Sequence, residues 1–201
     1  MFNKDGCLVR DYSPHSPHTI IPSLILRKRT VLDIGCNSGF LAEELKNNIV
    51  DCIDIHKEAL KIARKYCRKI YRRDLYKNKL NIPIEKYDYI VCSDILEHLP
   101  RPDLVLKDIS RYINKKGELI ISLPNVARIE LRLKHLLGDF TYKPGIMSLD
   151  HLRFFTKKTA IDLIEEAGFN IIDIISTGLG HRFPYFSNFI AFQFIFVCQL
   201  K

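Results

Sequence analysis

The stretch VLDIGCNSGF, Val31 to Phe40, decides the fold, because an apolar run ends there in a turn bracketed by two glycines. Residues 31–34 predict a buried parallel strand, and Phe40 opens the pattern of an amphipathic helix. Gly35 and Gly39 let the backbone turn tightly and approach a bound molecule. The stretch therefore predicts a strand-turn-helix unit with a small-molecule cofactor site at the helix N-terminus.

The spacing of this turn argues against a dinucleotide, because the G-x-G-x-x-G fingerprint needs a glycine where the chain has Asn37. Asp33, just before the turn, suits an ammonium group and would repel phosphate. The pattern Asp-x-Gly-x-x-x-Gly resembles motif I of the class I S-adenosylmethionine (SAM) methyltransferases, whose turn cradles the methionine part of the cofactor. The resemblance implies a SAM site formed by Asp33, Gly35, Cys36, Asn37 and Gly39.

Two further acids follow the next predicted strands. Asp54 closes the short strand 50–55, roughly 20 residues after the first glycine, where a carboxylate can accept hydrogen bonds from two vicinal ribose hydroxyls. Asp51 lies at the start of that strand, away from the carboxyl end where ligands bind, so Asp54 is preferred. In the family that the turn resembles, the acid at Asp74 holds the adenine amino group. The resemblance thus assigns cofactor contacts to Asp54, Ile55, Asp74 and Leu75.

The fourth predicted strand, Tyr87 to Cys92, runs into the sequence SDILEHLPRPDLVLKDISRYI. This segment resembles the strand-four motif of SAM methyltransferases of the ubiquinone-biosynthesis and methionine-biosynthesis types, in which an acid and a histidine lie close to the transferable methyl group. The resemblance implies that Ser93 and Asp94 border the cofactor. A fifth strand, Glu118 to Leu123, completes the part of the chain that matches the family core.

Strands alternate with helices from residue 30 to residue 123, which predicts a parallel sheet. Residues 126–137 and 159–167 predict helices, with Thr156 as N-cap of the second. Residues 170–176 and 188–200 predict two closing strands joined by a long loop, 177–187. Together with the resemblance, this order predicts an α/β, Rossmann-like class I methyltransferase fold, with a mostly parallel seven-stranded sheet, an antiparallel C-terminal strand and helices on both faces.

We expect one SAM-dependent methyltransferase domain over residues 1–201. Residues 1–29 form an N-terminal arm and short helix, in which Tyr12 or His18 could fold over the cofactor. Residues 30–123 form the cofactor-binding core. Residues 124–158 occupy the position where this family inserts its acceptor-recognition elements, so they predict an acceptor lid. Residues 159–201 supply the closing helix and strands.

Two histidines are the candidate catalytic residues. Methyl transfer from a sulfonium mainly needs alignment and desolvation, but a hydroxyl acceptor must also lose its proton. A histidine near the methyl group is the natural base. His98 lies four residues after Asp94, and His151 lies in the lid segment, so both are assigned to acceptor deprotonation.

A metal site built from Asp94, Glu97, His98 and His151 is the alternative use of the same segment. This set resembles the metal site of the small-RNA 2′-O-methyltransferases, with Asp94 in place of that family's first glutamate. A mixed oxygen and nitrogen ligand set would suit magnesium, manganese or zinc. The preferred interpretation assigns no metal: Glu97 pairs with a neighbour and His98 lines the acceptor pocket.

Composition fits one globular domain of 201 residues, of which 47% are hydrophobic. The longest apolar stretch, Phe189 to Cys198, is too short to span a bilayer, and no signal-peptide pattern opens the chain, so we expect a cytoplasmic protein without a membrane span. The six cysteines include no C-x-x-C pair, which favours reduced thiols.

The net charge is +8, and part of it lies in KIARKYCRKIYRR, residues 61–73. A basic patch suggests nucleic acid as a partner. The spacing of Lys61, Arg64, Lys65 and Arg68 instead fits the solvated face of a helix, so a small-molecule acceptor is preferred.

The sequence therefore predicts a SAM-dependent methyltransferase that methylates an oxygen atom of a small metabolite, lipid precursor or sugar, with S-adenosylhomocysteine as product. Two alternatives stay open: a metal-dependent RNA 2′-O-methyltransferase, and a non-catalytic partner module that only binds SAM. Neither the acceptor nor the oligomeric state is predicted.

Overall fold

Seven strands form one sheet in the part of the chain that the computed structural model describes, residues 13–201. In chain order they are β1 (Thr30–Ile34), β2 (Ile49–Asp54), β3 (Lys69–Arg72), β4 (Tyr87–Ser93), β5 (Ile113–Pro124), β6 (Phe169–Ser176) and β7 (Gln193–Leu200). Their order across the sheet is β3-β2-β1-β4-β5-β7-β6. The pairs among β1 to β5 are parallel, and β7 runs antiparallel to both β5 and β6. The predicted fold class is confirmed.

Helices cover both faces of this sheet. They are α1 (Pro17–Leu24), α2 (Phe40–Glu44), α3 (Lys57–Ala63), α4 (Pro102–Ile109), α5 (Ile129–Leu136), α6 (Lys157–Glu166), α7 (Leu179–Arg182) and α8 (Ser187–Ile190). In β1, Val31 faces one hydrophobic cluster while Leu32 and Ile34 face the other. Burial on both faces explains the near-continuous apolar run of this strand. Within residues 13–201, no helix has the length and apolar character needed to cross a membrane.

The helix after β5 is shorter than predicted. The prediction started it at residue 126, but Val126 donates its backbone N–H to the carbonyl of Phe155, and the side chain of Asn125 accepts the N–H of Ala127. These bonds hold the chain extended, so α5 begins only at Ile129. The predicted cap of α6 is confirmed, since the Thr156 hydroxyl accepts the N–H of Thr159.

The connection between β6 and β7 also differs from the prediction. Residues 177–187 were expected as a loop and 188–200 as a strand, whereas the structure forms α7, α8 and a later start of β7 at Gln193. Gly180 in α7 lies so close to Ala191, just after α8, that a Cβ on Gly180 would be 2.5 Å from the Cβ of Ala191. The two turns pack directly on each other there.

The expectation of reduced thiols is wrong for one pair of cysteines. Cys52 in β2 and Cys67 after α3 form a disulfide. The backbone N–H of Arg68 donates to the carbonyl of Val50, which brings the chain after α3 against β2 and places the two sulfurs side by side. Among the described residues, Cys36, Cys92 and Cys198 are buried free thiols.

Candidate active site

The glycine turn after β1 has the geometry that the sequence pattern requires. Gly35 and Gly39 have φ values of +79° and +82°, in the left-handed region that favours glycine. A Cβ on Gly35 would lie 3.0 Å from the Cβ of Ile95, and one on Gly39 would lie 2.9 Å from the Cα of Ala63. Both positions therefore need glycine for conformation and for space.

Asp54 holds this turn from the end of β2. One carboxylate oxygen accepts the backbone N–H of Asn37 at 2.8 Å, and the other accepts the N–H and the Nδ1 of His56 at 2.8 and 3.0 Å. A carboxylate has about four acceptor positions, and these three contacts leave about one for a ligand hydroxyl. Asp51 is engaged elsewhere, because it pairs with Arg68 and accepts the hydroxyl of Tyr87.

Asp33 faces the cavity beside the turn with a buried carboxylate. It makes no side-chain hydrogen bond within the described part of the chain. Desolvation, with a smaller contribution from the charge of Asp54, raises the pKa of Asp33 to about 7. A buried carboxylate without a partner is suited to bind a cationic group, because the cation restores the stabilisation that water no longer supplies.

The cavity draws its walls from four elements. Six of the lining residues are predicted cofactor residues: Asp33, Gly35, Cys36, Asn37, Ser93 and Asp94. The others are Pro17, His18, Ile21, Pro22, Phe40, Leu41 and Val91. Helix α1 therefore covers the turn, as the sequence suggested for His18. The other residue suggested for that role, Tyr12, lies outside the described residues. The apolar wall of α1 was not predicted, since Ile21 and Pro22 carry no signal beyond an ordinary amphipathic helix.

The remaining predicted cofactor residues lie outside this cavity. Asp74 accepts the N–H of Tyr76 at the start of a 3-10 turn, and Leu75 is buried in the core. Ile55 is exposed after β2. The N–H of Arg73 donates to the carbonyl of Asp54, so Asp74 lies one strand away from the ribose candidate. A ligand longer than the cavity would therefore extend along the carboxyl ends of β2 and β3.

Asp94 follows the last residue of β4 and has a φ of +52°, which is uncommon for a residue other than glycine. Its Oδ1 accepts the hydroxyl of Ser122 at 2.8 Å and the side-chain amide of Gln193 at 2.6 Å. Desolvation raises the pKa of Asp94 despite the lowering effect of the Ser122 bond. Sequence reasoning missed Gln193, because it stands 99 residues away in an apolar strand and only the antiparallel insertion of β7 brings it here.

His98 and His151 meet beyond Asp94, with ring centroids 4.8 Å apart. His98 Nδ1 lies 2.9 Å from the carbonyl of Asp150, and His151 Nδ1 lies 2.9 Å from the carbonyl of Ile146. A carbonyl only accepts, so Nδ1 is the donor in both rings, and in the neutral form of each ring Nε2 carries the lone pair. Burial lowers the pKa of His151, which keeps this ring neutral near pH 7.

Glu97 lies next to the histidine pair, and the expectation that it pairs with a neighbour is wrong. Both of its carboxylate oxygens are buried without a hydrogen-bond partner among residues 13–201. Burial and the charge of Asp94 raise the pKa of Glu97 well above its usual value. Its backbone carbonyl accepts the N–H groups of Leu152 and Arg153, which ties the lid segment to the turn that follows β4.

The predicted quartet of possible metal ligands comes together only in part. One ligand atom each from Glu97, His98 and His151 lies within 4.8 Å of the others. Asp94 is not in this group, and its Oδ1 accepts hydrogen bonds from Ser122 and Gln193 instead.

The order of the strands, the glycine turn and the acids along one edge of the sheet define a class I SAM-dependent methyltransferase. The residues fit the cofactor, since the buried carboxylate of Asp33 makes no side-chain hydrogen bond to residues 13–201 and the two glycines leave no room for a Cβ. The chain belongs to the methyltransferase domain family, whose model matches residues 14–174.

Curated relatives share this assignment. The ubiquinone biosynthesis O-methyltransferase of Glaesserella parasuis serovar 5 is 32% identical over 108 residues, which cover 48% of this chain and 46% of that protein. The chain thus spans less than half the length of that relative. The protein of the same name from Coxiella burnetii is 26% identical over 175 residues, covering 83% of this chain and 73% of that protein.

Solved structures show the same fold. A SAM-dependent methyltransferase from Methanosarcina mazei superimposes with a TM-score of 0.67 at 21% identity, over 90% of this chain and 98% of that one. A second, from Clostridium acetobutylicum, gives a TM-score of 0.65 at 17% identity, over 95% and 92%. At these identities the likeness concerns the fold.

Proposed function

We propose that this methyltransferase acts on an oxygen atom of a small-molecule acceptor, a small metabolite, lipid precursor or sugar. The observation that carries the proposal is the His98–His151 pair, in which each Nδ1 contacts a backbone carbonyl and leaves Nε2 as the basic atom of the neutral ring. A hydroxyl acceptor needs such a base, whereas a neutral amine can attack before it loses its proton. The name of the curated relatives, O-methyltransferase, supports the same acceptor atom.

The residues around the cavity would hold the cofactor in an order that follows the sheet edge. Asp33 would bind the ammonium group, Asp54 the ribose hydroxyls and Asp74 the adenine amino group. The backbone of the glycine turn approaches the ligand without side chains between them. When bound, SAM supplies a methyl group on a positively charged sulfur, which makes the methyl carbon electrophilic.

The histidines would take the proton of the acceptor. The carbonyls of Asp150 and Ile146 fix each ring so that Nε2 is the basic atom. Since burial lowers the pKa of His151, this ring is ready to accept a proton at neutral pH. General-base assistance of this kind contributes about 10²- to 10⁴-fold in rate.

The test replaces each histidine by asparagine, whose amide can still donate to the same carbonyl but has no basic nitrogen. Transfer of a labelled methyl group is measured over matched phenol, sugar-hydroxyl and amine acceptors, with SAM affinity measured by calorimetry. We expect unchanged SAM affinity and a loss of hydroxyl methylation of about 10²- to 10⁴-fold in His151→Asn. Undiminished hydroxyl methylation would contradict the proposal. SAM binding without turnover of any acceptor would favour a non-catalytic partner module.

A divalent cation held by Glu97, His98 and His151 is a second candidate. It is favoured by the unpartnered buried carboxylate of Glu97, which a cation would neutralise. Histidines that donate Nδ1–H to backbone carbonyls are also typical metal ligands. The cation would then activate the acceptor oxygen in place of a histidine base.

Calorimetric titration of zinc, manganese and magnesium into the chelator-treated protein separates the two candidates. Cation binding that is lost in Glu97→Gln, with activity restored by the same ion, supports the metal site. Full activity in the presence of chelator supports the histidine base.

A further inference from the structure

His56 stands at the start of helix α3, but its side chain makes no capping hydrogen bond there. Helices usually begin with serine, threonine, aspartate or asparagine, whose side chains bond the free N–H groups of the first turn. The His56 ring turns back instead, and its Nδ1 lies 3.0 Å from Oδ1 of Asp54. The side chain at this position therefore contacts the candidate ribose residue and not its own helix.

His56 occupies one oxygen of the Asp54 carboxylate with two donors. Oδ1 accepts the backbone N–H of His56 at 2.8 Å in addition to the ring contact. A carboxylate only accepts, so Nδ1 is the donor, and these two bonds fill the roughly two acceptor positions of Oδ1. Within residues 13–201, the remaining donor to this carboxylate is the N–H of Asn37, which lies 2.8 Å from Oδ2.

The acceptor position that is left open belongs to Oδ2 and lies next to the cavity. Asn37, whose N–H bonds Oδ2, is part of the cavity wall. The Asp54 side chain is 7% exposed and is held through both oxygens, so it cannot turn Oδ1 towards a ligand without breaking these bonds. Two vicinal ribose hydroxyls would need two open acceptor positions, whereas about one is open here.

We propose that His56 is a specificity-determining residue of the cofactor site, because its ring limits Asp54 to one of the two ribose hydroxyls. The protein then tolerates adenosyl ligands that lack the other hydroxyl. This inference rests on the proposed ribose contact of Asp54 and narrows it. A second hydroxyl that displaced the ring would exchange one hydrogen bond to the carboxylate for another, and would therefore gain little.

The test is calorimetric titration of the full chain with three ligands that differ only in the ribose. They are S-adenosylhomocysteine and its 2′-deoxy and 3′-deoxy analogues. We expect one analogue to bind the wild type about tenfold more weakly or worse, since it lacks a hydrogen bond to a charged acceptor. The other analogue should bind within about twofold of S-adenosylhomocysteine, because its missing hydroxyl has no position on Asp54.

His56→Ala removes the ring and opens Oδ1 to the second hydroxyl. The side chain of His56 is 66% exposed, so its removal leaves the core intact. This variant should bind S-adenosylhomocysteine about fivefold more tightly than the wild type, and both deoxy analogues should now bind more weakly than S-adenosylhomocysteine. His56→Asn is the matched control, because its side-chain amide can still donate to Oδ1 and should preserve the wild-type selectivity.

Thermal melts of all variants should show that they stay folded. Equal losses with the two analogues in the wild type would overturn the proposal, since both hydroxyls would then reach an acceptor despite the ring. An unchanged selectivity in His56→Ala would overturn it as well. If the folded wild type binds none of the three ligands, the cofactor assignment itself fails, and that result is distinct from binding without the expected selectivity.

Discussion

At the scale of single residues, the proposed role of Asp33 would couple ligand binding to the pH dependence of folding. Its pKa in the folded protein, about 7, is raised above the unfolded value of 3.8. The protonated form is thus favoured in the folded state, and that stability is complete below pH 3.8 and lost as the pH rises through 7. We expect apo Asp33→Asn to gain stability relative to the wild type between pH 4 and pH 8, by at most about 4 kcal/mol.

The same substitution should weaken SAM binding at pH 8 by about tenfold or more, because it removes a charge-assisted hydrogen bond. Wild-type affinity should fall on acidification below pH 7, where Asp33 becomes protonated. Denaturant melts and calorimetry at several pH values check both effects. If Asp33→Asn binds SAM as well as the wild type at pH 8, the carboxylate does not contact the ammonium group.

Asp54 has a different role, because its carboxylate already holds the turn through Asn37 and His56. Asp54→Ala should therefore lower both thermal stability and SAM affinity, the latter by about tenfold or more from the lost hydrogen bonds. Asp54→Asn is the matched control, since its amide oxygen retains one of the two backbone bonds. Calorimetry should rank the affinities as wild type, then Asn, then Ala. Equal affinities for all three would remove Asp54 from the ligand site.

Sequence reasoning finds residues whose role depends on near neighbours in the chain. Asp33, the glycines and Asp54 follow from the order of strand, turn and acid, because parallel strands bring their carboxyl ends to one edge. Their contacts with SAM stay a prediction. The Asp94–Gln193 bond could not be predicted, since it depends on how β7 enters the sheet. The isolation of Glu97 could not be predicted either, because it depends on the packing around the lid segment.

At the scale of elements, the Cys52–Cys67 disulfide fixes α3 against β2. It closes a loop with a sequence separation of 15, which corresponds to about 3 kcal/mol of stabilisation in the chain-entropy model. We expect a reductant to lower the melting temperature by about 6–12 °C, at 2–4 °C per kcal/mol. Cys67→Ser should melt at the lower temperature with or without reductant. Equal melting of the oxidised and reduced wild type would show that the disulfide does not form in solution.

Element bounds follow from the sequence where caps and periodicity decide them, as Thr156 does for α6. The predicted bounds are wrong where tertiary contacts determine where an element begins or ends. The bridge from Asn125 to Phe155 delays the start of α5, and Gly180 packs against Ala191 where the sequence predicted a loop and the structure has α7 and α8. The disulfide also depends on a tertiary contact, because cysteine spacing alone cannot show that the backbone of Arg68 forms a hydrogen bond to Val50 in β2.

At the scale of the whole molecule, the cavity draws on α1, β1, α2 and β4, so a ligand that fills it connects the N-terminal helix to the centre of the sheet. Saturation with SAM at 100 times its Kd should stabilise the folded state by about 2.7 kcal/mol. For a domain of this size, that raises the melting temperature by about 5–10 °C. Differential scanning fluorimetry with SAM and S-adenosylhomocysteine checks the shift.

NAD is the control for this measurement, and it should leave the melting temperature unchanged. Asn37 replaces the second glycine of a dinucleotide turn, and the charge of Asp33 would repel a pyrophosphate. Asp33→Asn should reduce the shift with SAM, since its affinity is lower at the same ligand concentration. A shift with NAD equal to that with SAM would mean that the cavity selects for adenosine alone, and the assignment of Asp33 to the methionine ammonium would then fail.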